Sequence, residues 1–298
     1  MAEDQQQRTG ERGQPREDER QRTGERGQSG VGEWQRADER GQWARADDPR
    51  VVWAVRIGFA LLVLAVWQVI SARLGANFVA SPAGMVTSGI AMIQSGELVR
   101  YLLPTLEVLA AGFALGVVVG VPLGLAIGRW QRLYWLSEGP INLFYTTPLV
   151  AVIPVIWVIL GFGVSTKIFI VFVFVIFSVI INSAAGVRNV DGDLLELARS
   201  YGSSEWSRWR EILVPSALPF ILTGIRIGIG RALIGAVVAE FYAGIDGVGY
   251  LILQYSNRFN VAAALVPVAV LVALGVGSTA LLKWLHRRLT PWAEEAGV

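Results

Sequence analysis

After a strongly polar start, the chain alternates between long apolar runs and short polar connections. Six apolar stretches follow residue 50, and each has about the 20 residues that a helix needs to cross roughly 30 Å of hydrocarbon. They cover residues 52–71, 108–128, 139–160, 168–187, 216–239 and 261–282. This pattern predicts an all-α polytopic membrane protein with about six transmembrane helices, and a shorter helix at the membrane surface within 81–106.

Residues 1–50 differ from the rest because they are almost entirely polar and repetitive. The octapeptide QRTGERGQ begins at Gln7 and again at Gln21, and the related QRADERGQ begins at Gln35, which gives a period of 14 residues. So little apolar surface cannot offset the entropy lost on folding. We therefore expect a disordered, low-complexity cytoplasmic tail at 1–50 and a transmembrane domain at 51–298. The tail is either an arm that binds lipid or a partner, or a solvated extension without a required role.

The composition excludes several kinds of site. The chain has no cysteine, which rules out disulfides, iron–sulfur clusters and thiol catalysis, and its single histidine, His286, cannot form a histidine-rich metal or haem site. The net charge of +2 argues against nucleic acid as the main partner. Hydrophobic residues make up 53% of the chain and the mean hydropathy is +0.47, as in polytopic membrane proteins. We predict no metal site, no catalytic residue and no cofactor in this chain.

Lysine and arginine near the span ends predict how the chain crosses the membrane, because cytoplasmic loops carry an excess of these residues. The segment before the first span, the connections after the second and fourth spans, and the segment after the sixth span carry thirteen of them: Arg36, Arg40, Arg45, Arg50, Arg129, Arg132, Arg188, Arg199, Arg208, Arg210, Lys283, Arg287 and Arg288. The connections after the first, third and fifth spans carry four: Arg73, Arg100, Lys167 and Arg258. This difference predicts that both termini and the loop at 191–219 are cytoplasmic.

The loop at 191–219 is the longest charged segment after Arg50, and its residues predict two short helices outside the membrane. Asp193 and Glu196 form the pattern of an N-cap followed by a capping-box carboxylate, so the first helix should begin at Asp193. Gly202 should end it, because glycine accepts the left-handed backbone of a helix C-terminus. A side chain at Gly202 is expected to clash or to redirect the second helix.

The second helix of the loop should be capped by Ser203 or Ser204 and should run to about Val214. Pro215 is expected to start the next membrane segment, at a position where its missing N–H has no cost.

Five loop residues fall at the spacing E-A-A-x3-G-x9-I-x-L-P: Glu196, Ala198, Gly202, Ile212 and Pro215. With this spacing the loop resembles the EAA loop of bacterial ABC-importer permeases, although Leu197 and Val214 stand where the family usually has alanine and leucine. The flanking segments GVRNVD at 186–191 and AEFYAGIDGVGYL at 239–251 are similar to the branch that handles nitrate, sulfonates or taurine. The resemblance covers about 51–289.

The resemblance implies a type I ABC-importer permease in the bacterial plasma (inner) membrane. Its expected partners are two cytoplasmic ABC ATPase subunits, an extracytoplasmic solute-binding protein and a second copy of this chain, and its expected cargo is a small anionic solute. ATP and Mg²⁺ would bind the ATPase. The chain itself has no G-x4-G-K-[ST] phosphate loop, because GFGVSTK at 161–167 has the wrong spacing.

In such an importer the loop would dock into a groove of the ATPase and transmit its movement. Glu196 either pairs with a basic residue of the ATPase or caps its own helix through the Asp193 N–H. Trp206 and Trp209 lie three residues apart on one helical face, where they either anchor the partner or rest on lipid headgroups.

Charged residues in the fifth span are candidates for the substrate pathway. Arg226 and Arg231 interrupt this span and Glu240 ends it. An arginine in mid-bilayer normally faces protein or water, so these residues could line a path for an anionic solute. The alternatives are structural: Arg226 reaches the membrane surface or pairs with backbone carbonyls, and Glu240 lies at the outer interface.

The third span is interrupted by Pro140, Pro148 and Pro154. Broken helices are tolerated where the freed carbonyls meet water or protein, which is typical of segments that face a pathway. Its polar side chains either contact the solute or belong to a kinked packing helix: Tyr145, Thr146 and Thr147.

Two other functions compete with the importer. An ion-coupled secondary transporter or channel would explain Arg226, Arg231 and Glu240, but it would not explain the spacing of the loop residues. A membrane-embedded enzyme is disfavoured because the spans lack cysteine and clustered carboxylates.

Overall fold

The computed structural model describes residues 49–75 and 80–289, and within them the chain forms eleven α-helices and one π-helical turn. The helices are α1 (Pro49–Leu74), α2 (Pro82–Gln94), α3 (Glu97–Arg129), α4 (Gln131–Thr146), α5 (Leu149–Leu160), α6 (Val164–Arg188), α7 (Gly192–Ser200), α8 (Glu205–Arg208), α9 (Val214–Ala243), α10 (Val248–Asn257) and α11 (Val261–Leu289). The π-helical turn, Trp209–Leu213, joins α8 to α9. The predicted all-α fold class is confirmed, while the predicted tail lies outside the described residues up to residue 48.

The chain divides into two compact units, Met1–Val66 and Trp67–Val298. The described part of the first unit is the segment of α1 up to Val66, whose apolar side chains, Phe59 and Leu61 among them, are nearly all exposed. A helix that is apolar on all sides is typical of a membrane span. The helices described below belong to the second unit.

Five helices in the described residues are long and apolar enough to cross a membrane, and a bent pair of helices makes a sixth span if it counts as one. The five segments are Arg50–Arg73, Glu97–Arg129, Val164–Arg188, Glu205–Ala243 and Val261–Leu285. The number agrees with the prediction of about six.

The third predicted span, at 139–160, is broken, as its prolines predicted. It consists of α4 and α5, which meet at 96° around Thr147 and Pro148. Thr147 has an extended backbone, as a residue before proline usually does, because the proline ring disfavours the helical conformation there. The helix therefore breaks at Pro148, whereas Pro140 and Pro154 lie inside α4 and α5.

The centre of the second unit is the contact between α3 and α6. Gly112, Gly116, Gly120, Gly124 and Gly128 form one stripe on α3 that faces α6. A Cβ atom on Gly124 would lie 2.6 Å from the carbonyl oxygen of Ile180, so the two backbones touch directly. Small residues allow this close approach, which drives helix association inside membranes. Helix α9 also packs on α6, where Gly224 meets Asn182.

A second cluster joins α2, α10, α11 and the start of α3, with Met92, Leu98 and Leu251 buried in it. Helix α2 confirms the short helix expected within 81–106, and Ser81 caps it by accepting a hydrogen bond from the Gly84 N–H at 3.0 Å. The Tyr255 hydroxyl on α10 donates to Glu97 Oε2 at 2.7 Å, and burial together with this hydrogen bond raises the pKa of Tyr255 to about 12.

Candidate functional site

The N-cap of the first loop helix, α7, lies two residues earlier than predicted, and the helix itself begins at Gly192. Asp191 is its N-cap, and the Asp191 side chain accepts a hydrogen bond from the Asp193 N–H at 2.9 Å. The sequence offered two aspartates with the same capping chemistry, and the prediction that Asp193 is the cap is wrong. Because Asp191 takes the Asp193 N–H, that N–H is not capped by Glu196, whose side chain is exposed.

The turn after α7 confirms the predicted role of Gly202 as the end of the helix. Gly202 has a φ of 73°, in the left-handed region, and the Ser203 N–H donates to the carbonyl oxygen of Ala198 at 3.1 Å. The expected clash is wrong, however, because a Cβ atom on Gly202 would meet nothing within 4 Å. Glycine is favoured here by its backbone conformation and not by lack of space.

The second loop helix begins as predicted, because Ser204 Oγ accepts a hydrogen bond from the Ser207 N–H at 3.1 Å. Its predicted end at about Val214 is wrong. It continues through the π-helical turn into α9, so that Glu205–Ala243 is one uninterrupted segment of 39 residues. Pro215 lies in the first turn of α9 and lacks the N–H of a normal helical bond. The wider π-helical turn directly before it accommodates the proline without ending the helix.

Helix α8 and the π-helical turn after it contact the end of α3 through an ion pair and an aromatic contact. Glu205 Oε1 accepts hydrogen bonds from Arg129 Nε at 3.0 Å and Arg129 Nη2 at 2.6 Å, and Glu205 also pairs with Arg208. The rings of Trp209 and Trp130 lie 6.5 Å apart. The loop therefore contacts two spanning helices, α9 through the backbone and α3 through side chains.

The two tryptophans of the loop, predicted to lie on one helical face, have different surroundings. Trp206 is 75% exposed, whereas Trp209 packs on a buried cluster that contains Val187, Leu213 and Ala217. The partner of Trp209 is far away in sequence, so its spacing from Trp206 could not reveal it. Among the other EAA-loop residues, Ala198 and Ile212 are half-buried.

An exposed apolar surface covers the outer side of the loop. We call it the docking face and define it by four exposed side chains: Leu194, Leu197, Tyr201 and Trp206. The first three lie three and four residues apart along α7 and its C-terminal end, so they form one stripe. Contiguous exposed apolar residues usually mark a contact surface.

The structure brings together two of the predicted pathway residues. The Arg231 guanidinium on α9 lies 4.2 Å from the ring centroid of Tyr145 on α4, a cation–π contact. The hydroxyls of Thr146 and Thr147 donate to carbonyl oxygens of their own helix, at 2.8 Å and 2.7 Å. Arg226 is exposed and lies apart from this pair.

Glu240 does not line a pathway, so the pathway interpretation of its sequence position is wrong, while its position at the outer interface stays a prediction. It is 0% exposed and accepts hydrogen bonds from Thr105 Oγ1 and the Gly249 N–H, each at 2.7 Å. Thr105 Oγ1 also accepts the Val248 N–H at 2.8 Å. A Cβ atom on Gly247 would overlap the Glu240 carboxyl group, so the glycines of this loop let it close around the glutamate.

Two further features were missed by sequence reasoning. Lys167, counted only as a loop charge, is buried and pairs with Asp246 beside the Glu240 site. A cavity of about 400 Å³ lies between α3, α4 and α6, and Tyr134, Glu138 and Arg188 line it. The one signal for this cavity was the four-residue spacing of Tyr134 and Glu138, which places both side chains on one face of α4.

Comparison with known proteins decides the family. Residues 116–292, more than half of the chain, match the family described as "Binding-protein-dependent transport system inner membrane component". The chain belongs to this family. The resemblance drawn from the EAA-loop spacing is thus confirmed, and the chain is a multi-pass permease subunit of the inner membrane.

Individual relatives agree with this assignment. A probable ABC transporter permease protein of Brucella abortus (strain 2308) is 32% identical over 244 residues, which are 80% of this chain and 97% of that protein. The putative aliphatic sulfonates transport permease protein SsuC of Bacillus subtilis (strain 168) is 32% identical over 248 residues, 82% of this chain and 89% of that protein. A chain of the inward-facing MetNI methionine ABC transporter has a TM-score of 0.57 and 24% identity, over 65% of this chain and 96% of that one, which supports the fold.

Proposed function

We propose that this permease moves a small anionic solute through the membrane and is driven by a separate cytoplasmic ABC ATPase that binds the docking face. The observation that carries the proposal is the unbroken helix from Glu205 to Ala243. A loop joined to a spanning helix without a break transmits a displacement directly, whereas a flexible connection would absorb it. The proposal places the loop and both termini in the cytoplasm.

The docking face suits a groove of the ATPase. Its residues are apolar and aromatic, the types that dominate protein interfaces, and they project from a short helix. Glu196 is exposed beside them and is free of the Asp193 N–H, which favours its role as a partner for a basic residue of the ATPase. ATP and Mg²⁺ bind the ATPase and not this chain.

Movement of the loop would reach the membrane by two routes. The first is the backbone through the π-helical turn and Pro215 into α9, which carries Arg231. The second is the contact of Glu205 and Trp209 with the end of α3. A shift of α9 relative to α4 would change the stacking of Arg231 on Tyr145, and so alter the groups presented to a solute.

The solute is proposed to be a sulfonate or a similar small anion that an extracytoplasmic binding protein delivers to two copies of this permease. The support is the similarity to the Bacillus subtilis relative, which is named for aliphatic sulfonate transport, together with the cationic Arg231 beside an aromatic ring. ATP binding would favour one orientation of the pathway only if the ATPase binds that state more tightly.

The docking proposal is tested by co-purification. Tyr201→Asp places a charge in the middle of the docking face, and we expect the ATPase to bind at least about 30-fold more weakly, as for an interface hot spot. Phe259→Asp is the matched control, because Phe259 is also exposed and aromatic but lies in the connection between α10 and α11. Equal recovery of the ATPase with both variants would refute the docking face.

Transport itself provides a second test. Proteoliposomes that contain the permease, ATPase and binding protein should accumulate an alkanesulfonate only when ATP is supplied. Uptake driven by a membrane potential without the ATPase would instead support a secondary transporter.

A further inference from the structure

The cavity between α3, α4 and α6 is built differently from the apolar contacts around it. Its volume of about 400 Å³ is in the range of small-molecule sites, which is roughly 300–1,000 Å³. Isoleucines from all three helices, Ile127, Ile141 and Ile180, form part of its wall, and the polar groups come from α4 and the last turn of α6.

One charged group of the cavity is the Arg188 guanidinium. Its carbon lies 3.7 Å from the ring centroid of Tyr134, so the aromatic ring covers one face of the planar group. Stacking leaves the N–H groups at the guanidinium edge available for an acceptor, because these groups point outward in the plane. Such a group can bind a carboxylate, sulfonate or phosphate through two parallel hydrogen bonds.

The other charged group is the Glu138 carboxylate. The Tyr134 hydroxyl donates to Glu138 Oε1 at 2.6 Å, which fixes one oxygen and leaves Oε2 to accept from another donor. Tyr134 thus holds both charged groups, Arg188 by its ring face and Glu138 by its hydroxyl.

The two charges do not neutralise each other. Among residues 49–75 and 80–289, neither Arg188 nor Glu138 takes part in an ion pair, although both line the same cavity. Two opposite charges kept apart over an apolar wall match a ligand that carries both signs on a short carbon chain. A simple anion would face the Glu138 carboxylate, and a simple cation would face the Arg188 guanidinium, so each would meet repulsion.

We propose that this cavity binds a small zwitterionic solute, with its acidic group on Arg188 and its ammonium group on Glu138. Asn142 and Asn189, which also line the cavity, offer further polar contacts to the solute. The cavity lies at the end of α6, directly before α7, so the solute sits on the side of the protein that carries the docking face. The inference does not rest on the proposed function, because binding of a zwitterion at this site does not need its transport.

Isothermal titration of the full-length chain in detergent tests the site. The probes are taurine and β-alanine, two zwitterions, and ethanesulfonate and ethylammonium, which each carry one of the two charges. We expect saturable binding of at least one zwitterion, and at least about tenfold weaker binding of both single-charge probes, since each lacks one charge-assisted contact. No saturable binding of either zwitterion, or equal binding of ethanesulfonate, would overturn the proposal.

Variants locate the binding on the cavity. Arg188→Ala and Glu138→Gln should each weaken zwitterion binding at least about tenfold, whereas Arg188→Lys should retain part of it because the charge remains. Arg132→Ala is the control, because Arg132 lies on α4, as Glu138 does, but does not line the cavity. Unchanged binding with Arg188→Ala and Glu138→Gln would show that the zwitterion sits elsewhere and overturn the assignment.

The two proposals fail separately. If Tyr201→Asp leaves ATPase binding intact but taurine binds at Arg188, the docking proposal falls and the zwitterion site stands. If the ATPase depends on the docking face but neither zwitterion binds, the zwitterion site falls and the importer function stands.

Discussion

The glycine stripe between α3 and α6 gives a prediction whose size follows from distances. Gly124→Ala would place a Cβ atom 2.6 Å from both the Ile180 carbonyl oxygen and Ser183 Cβ, and 3.1 Å from Ile180 Cα. Real Cβ contacts are longer than these distances, and two of the three neighbouring atoms are backbone atoms that cannot rotate away. Helices α3 and α6 must therefore separate by several tenths of an ångström along a contact that extends over five glycines.

The magnitude combines two opposing terms. Overpacking of a tight contact costs about 1–3 kcal/mol. Replacing glycine by alanine inside a helix returns up to about 1 kcal/mol of helix propensity. The net loss is roughly 1–2 kcal/mol, which for a chain of this size lowers the melting temperature by about 2–8 °C.

The assay is thermal unfolding of the purified permease in detergent, followed by tryptophan fluorescence. Gly139→Ala on α4 is the matched control, because a Cβ atom there would meet nothing within 4 Å. We expect the melting temperature of Gly139→Ala to equal or exceed that of the unmodified chain. The packing argument is refuted if Gly124→Ala and Gly139→Ala melt at the same temperature.

Three further predictions concern single side chains. Gly202→Val should weaken ATPase co-purification, because a β-branched residue at a φ of 73° costs about 1–2 kcal/mol, while Gly202→Asn should retain it since asparagine tolerates this backbone; equal behaviour of the two variants would contradict the backbone explanation. Arg231→Ala should reduce solute uptake in proteoliposomes without loss of ATPase binding, and Tyr145→Phe should retain uptake because the ring that faces Arg231 remains; unchanged uptake with Arg231→Ala would remove this residue from the pathway. Glu240→Ala should lower the melting temperature because it leaves the buried Gly249 N–H without its acceptor, whereas Glu240→Gln should melt near the unmodified chain since the amide oxygen can still accept that N–H; equal melting temperatures would show that the hydrogen bonds contribute little.

Features of the fold that depend on neighbouring residues could be predicted from the sequence. The end of α7 at Gly202 is one, because the left-handed turn is a property of the residue itself and its hydrogen bonds run to α7. The membrane spans are another, because their length and apolar character appear in any continuous window. The capping serine at Ser204 also bonds within three residues.

Features that depend on distant residues could not be predicted. The burial of Glu240 could not be predicted, because its hydrogen-bond partner Thr105 lies 135 positions away in the sequence. The packing of Trp209 could not be predicted either, because Trp130, whose ring it contacts, lies far away in the sequence. Pro215 lies in the first turn of α9, as predicted, but the continuity of the loop helix with α9 was missed for a local reason. A proline fits the start of a helix equally well whether the chain before it is a loop or a π-helical turn.

The two ends of the continuous segment Glu205–Ala243 are held by carboxylate contacts of very different strength. At the loop end, Glu205 is 49% exposed where it pairs with Arg129, and exposed ion pairs contribute only about 0–1 kcal/mol. At the other end, Glu240 is fully buried, and loss of its hydrogen bonds would leave buried polar groups unsatisfied at a cost of about 1–3 kcal/mol each. If an ATPase pulls on the docking face, as proposed above, the contact with Arg129 should therefore break first, and α9 should pivot about the end that Thr105 and Gly249 hold.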